Sequence, residues 1–160
     1  MSRRGHPTTH EPHPHMPRDG WHWTSDVVIP SDPAEGKRVL DDLLQALREL
    51  NWIQHEVFGV HLAVEEALVN AIKHGNRHDA SKSVRFACRV SNERVQVEIA
   101  DEGPGFNPGA VPDCTMDENL EVPSGRGLML MRCFMSRVEY NDKGNCVAME
   151  KVRGQAGCGQ

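Results

Sequence analysis

Residues 64–76 read VEEALVNAIKHGN. Val64, Ala67, Leu68, Ala71 and Ile72 recur at intervals of three and four, the period of an α-helix buried along one side. Carried back through Val57 and Val60, that period predicts a helix from about Gln54 to His74, which Gly75 stops. Glu66 and Asn70 stand four residues apart, one turn along the same face, so a carboxylate and an amide reach one volume. Lys73 and His74 continue that face by another turn. A carboxylate, a neutral oxygen and a cation in one column suit a site for Mg²⁺ and phosphate, with oxygen for the hard cation and ammonium for the anion. A solvated helix flank closed by a Glu–Asn hydrogen bond uses the same residues, and for this segment taken alone it is the commoner arrangement.

Upstream, Thr24 to Ile29 reads as a strand ended by Pro30. Ser31 is the expected N-cap of a helix with Pro33 and Glu35 in its first turn, followed by Val39, Leu40, Leu43, Leu44, Leu47 and Leu50 at helical spacing. Downstream, Val84, Phe86, Cys88 and Val90 alternate at period two, as do Val95, Val97 and Ile99, with a hairpin turn at Ser91-Asn92-Glu93. A long irregular stretch from Gly103 to Ser124 contains four prolines, and such loops in compact domains are usually functional. A third helix is expected from near Gly127 to about Met135, then a closing hairpin of Arg137–Asn141 and Cys146–Val152 turned at residues 142–145. Helices grouped early and strands grouped late define an α+β sandwich, one mostly antiparallel sheet with helices on one face.

The chain has 160 residues, 18 Lys+Arg against 23 Asp+Glu, and a formal net charge of −5. That length suits one domain, burying roughly 68–70% of its unfolded surface. The acidic balance argues against a direct nucleic-acid binder. Five cysteines at 88, 114, 133, 146 and 158 form no CxxC pair, which fits neither a zinc site nor a disulfide framework but suits reduced thiols in the cytoplasm. No stretch approaches the roughly 18 apolar residues of a membrane span. Residues 1–22 carry four of the ten prolines and five of the nine histidines, so they read as a disordered tail. The domain is expected over 23–153, with a flexible Gly-rich tail at 154–160.

Two glycine motifs complete the chemistry. DEGPGF (101–106) stands where the strand of Val95, Val97 and Ile99 ends: Asp101 there can accept a hydrogen bond from an exocyclic amine, and the glycines let backbone approach a flat ring. SGRGLMLM (124–131) opens an apolar helix whose first N–H groups and dipole favour an anion. It is neither a dinucleotide fingerprint, because Leu130 holds the third glycine position, nor a GxxxxGK[ST] loop. Alone, each reads as well as an ordinary turn or helix entry.

In this order, with a 19-residue linker from Phe106 to Ser124, the three motifs resemble the N, G1 and G2 boxes of the GHKL ATPases. Within that superfamily they are most similar to the anti-sigma-factor serine kinases of the RsbW and SpoIIAB type, over nearly all of residues 24–152. The resemblance implies a Bergerat sandwich with one mixed, mostly antiparallel sheet. It also implies ATP and Mg²⁺ as cofactors. Asn70 then matches the Mg²⁺ ligand, Glu66 the general base, and Lys73 a cation near the phosphates. Asp101 matches the reader of the adenine amino group, Gly103 and Gly105 the G1 glycines, and Gly125, Arg126, Gly127 and Leu128 the phosphate cradle. Phe106–Ser124 would be the ATP lid, and Cys146 stands where many relatives carry Thr near the adenine. Glu65 lies about 100° around the helix from Glu66 and lacks its i+4 relation to Asn70.

The implied activity is phosphorylation of a serine on a STAS-type anti-sigma antagonist, with sequestration of a sigma factor that the unphosphorylated antagonist releases. A homodimer surface over residues 24–50 is implied too, although a solvent face over an internal Leu stripe reads that segment nearly as well. Two alternatives stand beside it. One is a nucleotide-dependent binding module without kinase activity. The other is a histidine-kinase catalytic domain, disfavoured because His55 and His61 lie within the N-box helix itself.

Overall fold

The computed structural model describes residues 20–105 and 125–157, with backbone alone at Gly125 and Arg126. The expected N-terminal tail up to residue 19, the lid over 106–124 and the last three residues lie outside the described residues. The elements run β1 (Trp23–Pro30), α1 (Pro33–Glu49), α2 (Gln54–Val69), a π-helical turn (Asn70–Gly75), β2 (Ser83–Val90) and β3 (Arg94–Ala100). Then follow α3 (Gly125–Phe134), β4 (Arg137–Tyr140) and β5 (Cys146–Val152). The sheet order is β1-β2-β3-β5-β4, and every pairing among the described strands is antiparallel.

Register explains why the alternating residues share a face. Phe86 pairs with Ile99 and Cys88 with Val97 across β2 and β3. Ile99 in turn pairs with Val147, and Val97 with Met149, across β3 and β5. These rows are buried and form the floor of the core. The opposite face is polar: Arg85 makes a two-pronged ion pair with Asp26 (3.0 and 2.6 Å), and Arg89 donates to Gln96.

The three α-helices among the described residues cover the apolar face. In α1, Val39, Leu40, Leu43, Leu44 and Leu47 are buried, the side predicted from their spacing. The cap is Asp32, whose side chain accepts from the Ala34 N–H at 2.9 Å, rather than the expected Ser31. Ser31 is buried instead and serves another partner, described below. α2 packs against both α1 and α3, so its buried surface spreads beyond one stripe to include Gly59 and Ala63. Small residues permit the close crossing: a Cβ at Gly59 would stand 3.0 Å from the Phe134 ring, and one at Gly36 would stand 3.1 Å from Ile72.

Both predicted hairpins form. The closing one is organised by Asn141, whose Oδ1 accepts from the N–H groups of Gly144, Asn145 and Cys146 at 2.8–3.2 Å. Gly144 holds a φ of +83°, which its lack of a Cβ permits. The loose tail expected from Gly154 gives way to ordered chain over 154–157: Gly154 N–H donates at 2.7 Å to the buried Glu56 carboxylate. Among the described residues no helix is long and apolar enough to cross a membrane, and Cys88, Cys133 and Cys146 are free thiols.

Leu47 is fully buried on the inner side of α1 while Gln45 is exposed. Leu47→Ala is expected to cost about 2–5 kcal/mol of unfolding free energy, whereas Gln45→Ala stays within about 0.5 kcal/mol of wild type. Urea denaturation of the two variants measures both.

Candidate functional site

A cleft opens where the π-helical turn, the end of β3 and the β4–β5 hairpin meet. Its lining includes Asn70, His74 and Gly75 from the turn, Asp101 and Gly105 from the loop after β3, and Tyr140, Asn145 and Cys146 from the hairpin. Residues 70 and 101 are thus brought together from elements separated by two strands.

The π turn decides which side chains enter. Its wider winding carries the face from Asn70 and Ala71 to His74 and Gly75. The α-helical period drawn in sequence kept Lys73 on that face as well. In the structure Lys73 is exposed and lines a separate groove between α1 and α2. Glu66, half-buried one turn before Asn70, does not line the cleft, and its carboxylate engages no hydrogen bond or ion pair among the described residues.

Glycines close the base of the cleft. A Cβ at Gly75 would overlap the Asp101 carboxyl, and one at Gly103 would overlap the Gly75 carbonyl. Gly105, at φ +80°, leaves no room for a side chain against the Lys143 carbonyl. Of the two expected ring-approaching glycines, Gly105 lines the cleft and Gly103 instead packs backbone on backbone behind it. Gly125 and Gly127 fall in the first turn of α3, and Leu128 is buried beneath it. The Arg126 side chain lies outside the described residues.

The electrostatics are those of a place where polar groups are withdrawn from water. Burial pushes the Asp101 carboxyl up to about 6, against the Gly103 N–H that donates to Oδ1 at 2.7 Å and favours the charged form. Burial likewise raises the Tyr140 hydroxyl to about 12 and the Cys146 thiol to about 11, the latter with Glu98 beside it. Asn70 is buried beside the Tyr140 hydroxyl, which its side chain holds lower against the effect of burial, but its Nδ2 makes no hydrogen bond of ordinary geometry among the described residues. An orphaned amide in a native interior asks for a missing partner. Half a rotation about its last bond presents Oδ1 instead, a hard oxygen of the kind Mg²⁺ accepts. An amide oxygen in that position fits a magnesium ion.

The α1–α2 groove is roomier and more apolar, but none of the groups with a raised pKa and no orphaned buried amide lines it. Convergent, desolvated polar groups make the cleft the candidate functional site. Tyr140 and Asn145 went unnoticed in sequence. The signal for Asn145 was the Asn141…Gly144-Asn145 turn, whose backbone is held against the loop carrying Asp101: Asp101 N–H donates to the Asn145 carbonyl at 2.9 Å.

Comparison with known proteins accords with this geometry. Residues 29–151 match the histidine kinase-like ATPase domain. The chain is 28% identical over 135 residues to the serine-protein kinase RsbW of Bacillus subtilis, covering 79% of this chain and 83% of that one. It is 32% identical over 102 residues to an anti-sigma F factor of Clostridium perfringens, covering 60% and 72%. It is 30% identical over 97 residues to the serine/threonine-protein kinase BtrW of Bordetella bronchiseptica, covering 59% and 68%. The crystal structure of the RsbU and RsbW domains of a Mycobacterium tuberculosis protein superposes with a TM-score of 0.56 at 14% identity, over 83% of this chain and 33% of that longer one, and shows the shared fold. The chain belongs to the histidine kinase-like (GHKL) ATPase family, in its branch of RsbW-type protein serine/threonine kinases. ATP is the nucleotide that membership implies.

The Asp101 environment has a consequence for stability. Folded Asp101 keeps its proton to about 6, against 3.8 for the free group, so between those values the native state holds more protons than the unfolded chain. Its contribution to stability therefore falls as pH rises through that window. Asp101→Asn removes the slope. In urea denaturation of the nucleotide-free protein, the variant is expected to gain on wild type between about pH 4 and about pH 7; a difference that does not change with pH contradicts a desolvated Asp101.

Proposed function

We propose that this chain binds magnesium ATP in the Asn70–Asp101 cleft, phosphorylates a serine of a STAS-type anti-sigma antagonist, and sequesters a sigma factor until the unphosphorylated antagonist competes for it. The observation that carries the nucleotide reading is the meeting of a buried, under-satisfied amide and a desolvated carboxylate in one cleft. The relatives named as serine-protein kinase and anti-sigma F factor support the choice of protein substrates.

Each residue has a distinct part in this reading. Asp101 accepts a hydrogen bond from the adenine 6-amino group, most strongly as the carboxylate, the form that prevails at neutral pH with its pKa at about 6. Tyr140 and Cys146 form the wall beside the base. Asn70 holds Mg²⁺, which when bound neutralises charge on the phosphate oxygens. The first turn of α3, opened by Gly125 and Gly127, offers backbone N–H groups to the phosphates, with Arg126 adding charge. Glu66 stands ready on the turn before Asn70, uncommitted to any other group among the described residues, and takes the proton of the attacking serine hydroxyl. His74 takes the cleft-facing position that an unbroken α-helix would share with Lys73.

Glu66→Gln is expected to keep ATP binding and to lose phosphotransfer by about 10²–10⁴, the usual worth of general-base help. Incubation with labelled ATP and candidate antagonists measures it, and wild-type transfer by the Gln variant removes Glu66 from the mechanism. In calorimetry with and without magnesium, Asn70→Ala is expected to abolish the metal-dependent part of ATP affinity. Unaltered metal dependence would exclude Asn70 as the ligand.

A further inference from the structure

Asn76, the residue after the π turn, is the most completely enclosed polar side chain among the described residues, with 0% exposure. Its Nδ2 donates to Ser31 Oγ at 2.5 Å and to the Ser83 carbonyl at 2.9 Å. Its Oδ1 accepts from the Glu102 N–H at 2.8 Å. One amide thus ties the β1–α1 connection, the start of β2 and the loop after β3 to the end of the π turn. Glu102 is gripped a second time, because its carboxylate accepts from the Ser83 N–H.

These contacts bracket Asp101. Its own N–H is bound to the Asn145 carbonyl, its carboxyl lies against Gly75, and the N–H of the next residue is held by Asn76. We propose that Asn76 is a positioning residue for base recognition: through Glu102 it fixes the Asp101 carboxylate at the distance at which an adenine amino group is accepted and a 6-carbonyl base refused. The proposal rests on Asp101 as the base-reading group. A carboxylate meeting a 6-carbonyl finds two acceptors facing each other, so discrimination between adenine and hypoxanthine is a direct report on where Asp101 stands. A site built around such a hydrogen bond discriminates strongly, and loses that power when the acceptor shifts. Without the Asn76 oxygen, the Glu102 N–H has no buried partner and the loop relaxes toward water.

The test uses the full chain and two probes, magnesium ATP and magnesium ITP, with dissociation constants from calorimetry. Asn76→Ala is expected to reduce the ITP-to-ATP ratio of dissociation constants by about tenfold, chiefly through weaker ATP binding. Ser31→Ala removes one acceptor from Asn76 but leaves the Glu102 bond, so it should lower the melting temperature and keep the wild-type ratio. If the alanine variant does not fold, Asn76→Ser is measured in its place with the same expectation. Equal weakening of both nucleotides, with the ratio unchanged, overturns the proposal and leaves Asn76 a purely structural residue. A wild-type ratio near one would instead remove Asp101 as the reader of the base, and the proposal with it.

Discussion

Gly75 and the Asp101 carboxyl lie so close that no side chain fits between them, and Gly103 lies equally close behind on the Gly75 carbonyl. This contact joins the end of the π turn that continues α2 to the end of the central strand, β3. It depends on the helix finishing in a π turn, which brings Gly75 and Asn76 around to meet the loop after β3. Asn70, His74 and Asp101 share a cleft as a result. Without that corner, the amide and the carboxylate would belong to unrelated surfaces.

The groups so assembled are held at a cost. Asp101 is kept partly from water, with one backbone N–H on its carboxylate, and Asn70 keeps an unmet donor in the interior. Native proteins leave few such groups, and those that persist tend to stand where a ligand completes them. The surrounding core, built from rows such as Phe86–Ile99–Val147 and Cys88–Val97–Met149, supplies the stability that offsets them.

Much of the scaffold was legible because it rests on period. The alternation of Val95, Val97 and Ile99 and the stripe from Val39 to Leu47 are direct images of one-sided burial, and both stand as expected. Asn70 and Asp101, which the structure places in one cleft, stood out because each sits at a position with its own chemistry, a turn along from a carboxylate and the end of a buried strand. What period could not reveal was the change of winding at Asn70: sequence spacing assumes 3.6 residues per turn, so Lys73 was drawn onto a face it does not share. Ser31 was misread for a similar reason. A cap is defined by the local chain, but Ser31 is claimed by Asn76, 45 residues away. Tyr140 reaches the cleft through the pairing of β4 with β5, and Asn145 through the turn that Asn141 organises, so neither shows in the periodicity of its own segment.

The account stands or falls on where a nucleotide lies. A crystal structure of the full chain with magnesium and a non-hydrolysable ATP analogue is predicted to place the adenine 6-amino group on the Asp101 carboxylate, the metal on the Asn70 oxygen, and the phosphates at the first turn of α3. A nucleotide bound in the α1–α2 groove, or one whose metal leaves Asn70 untouched, would contradict it.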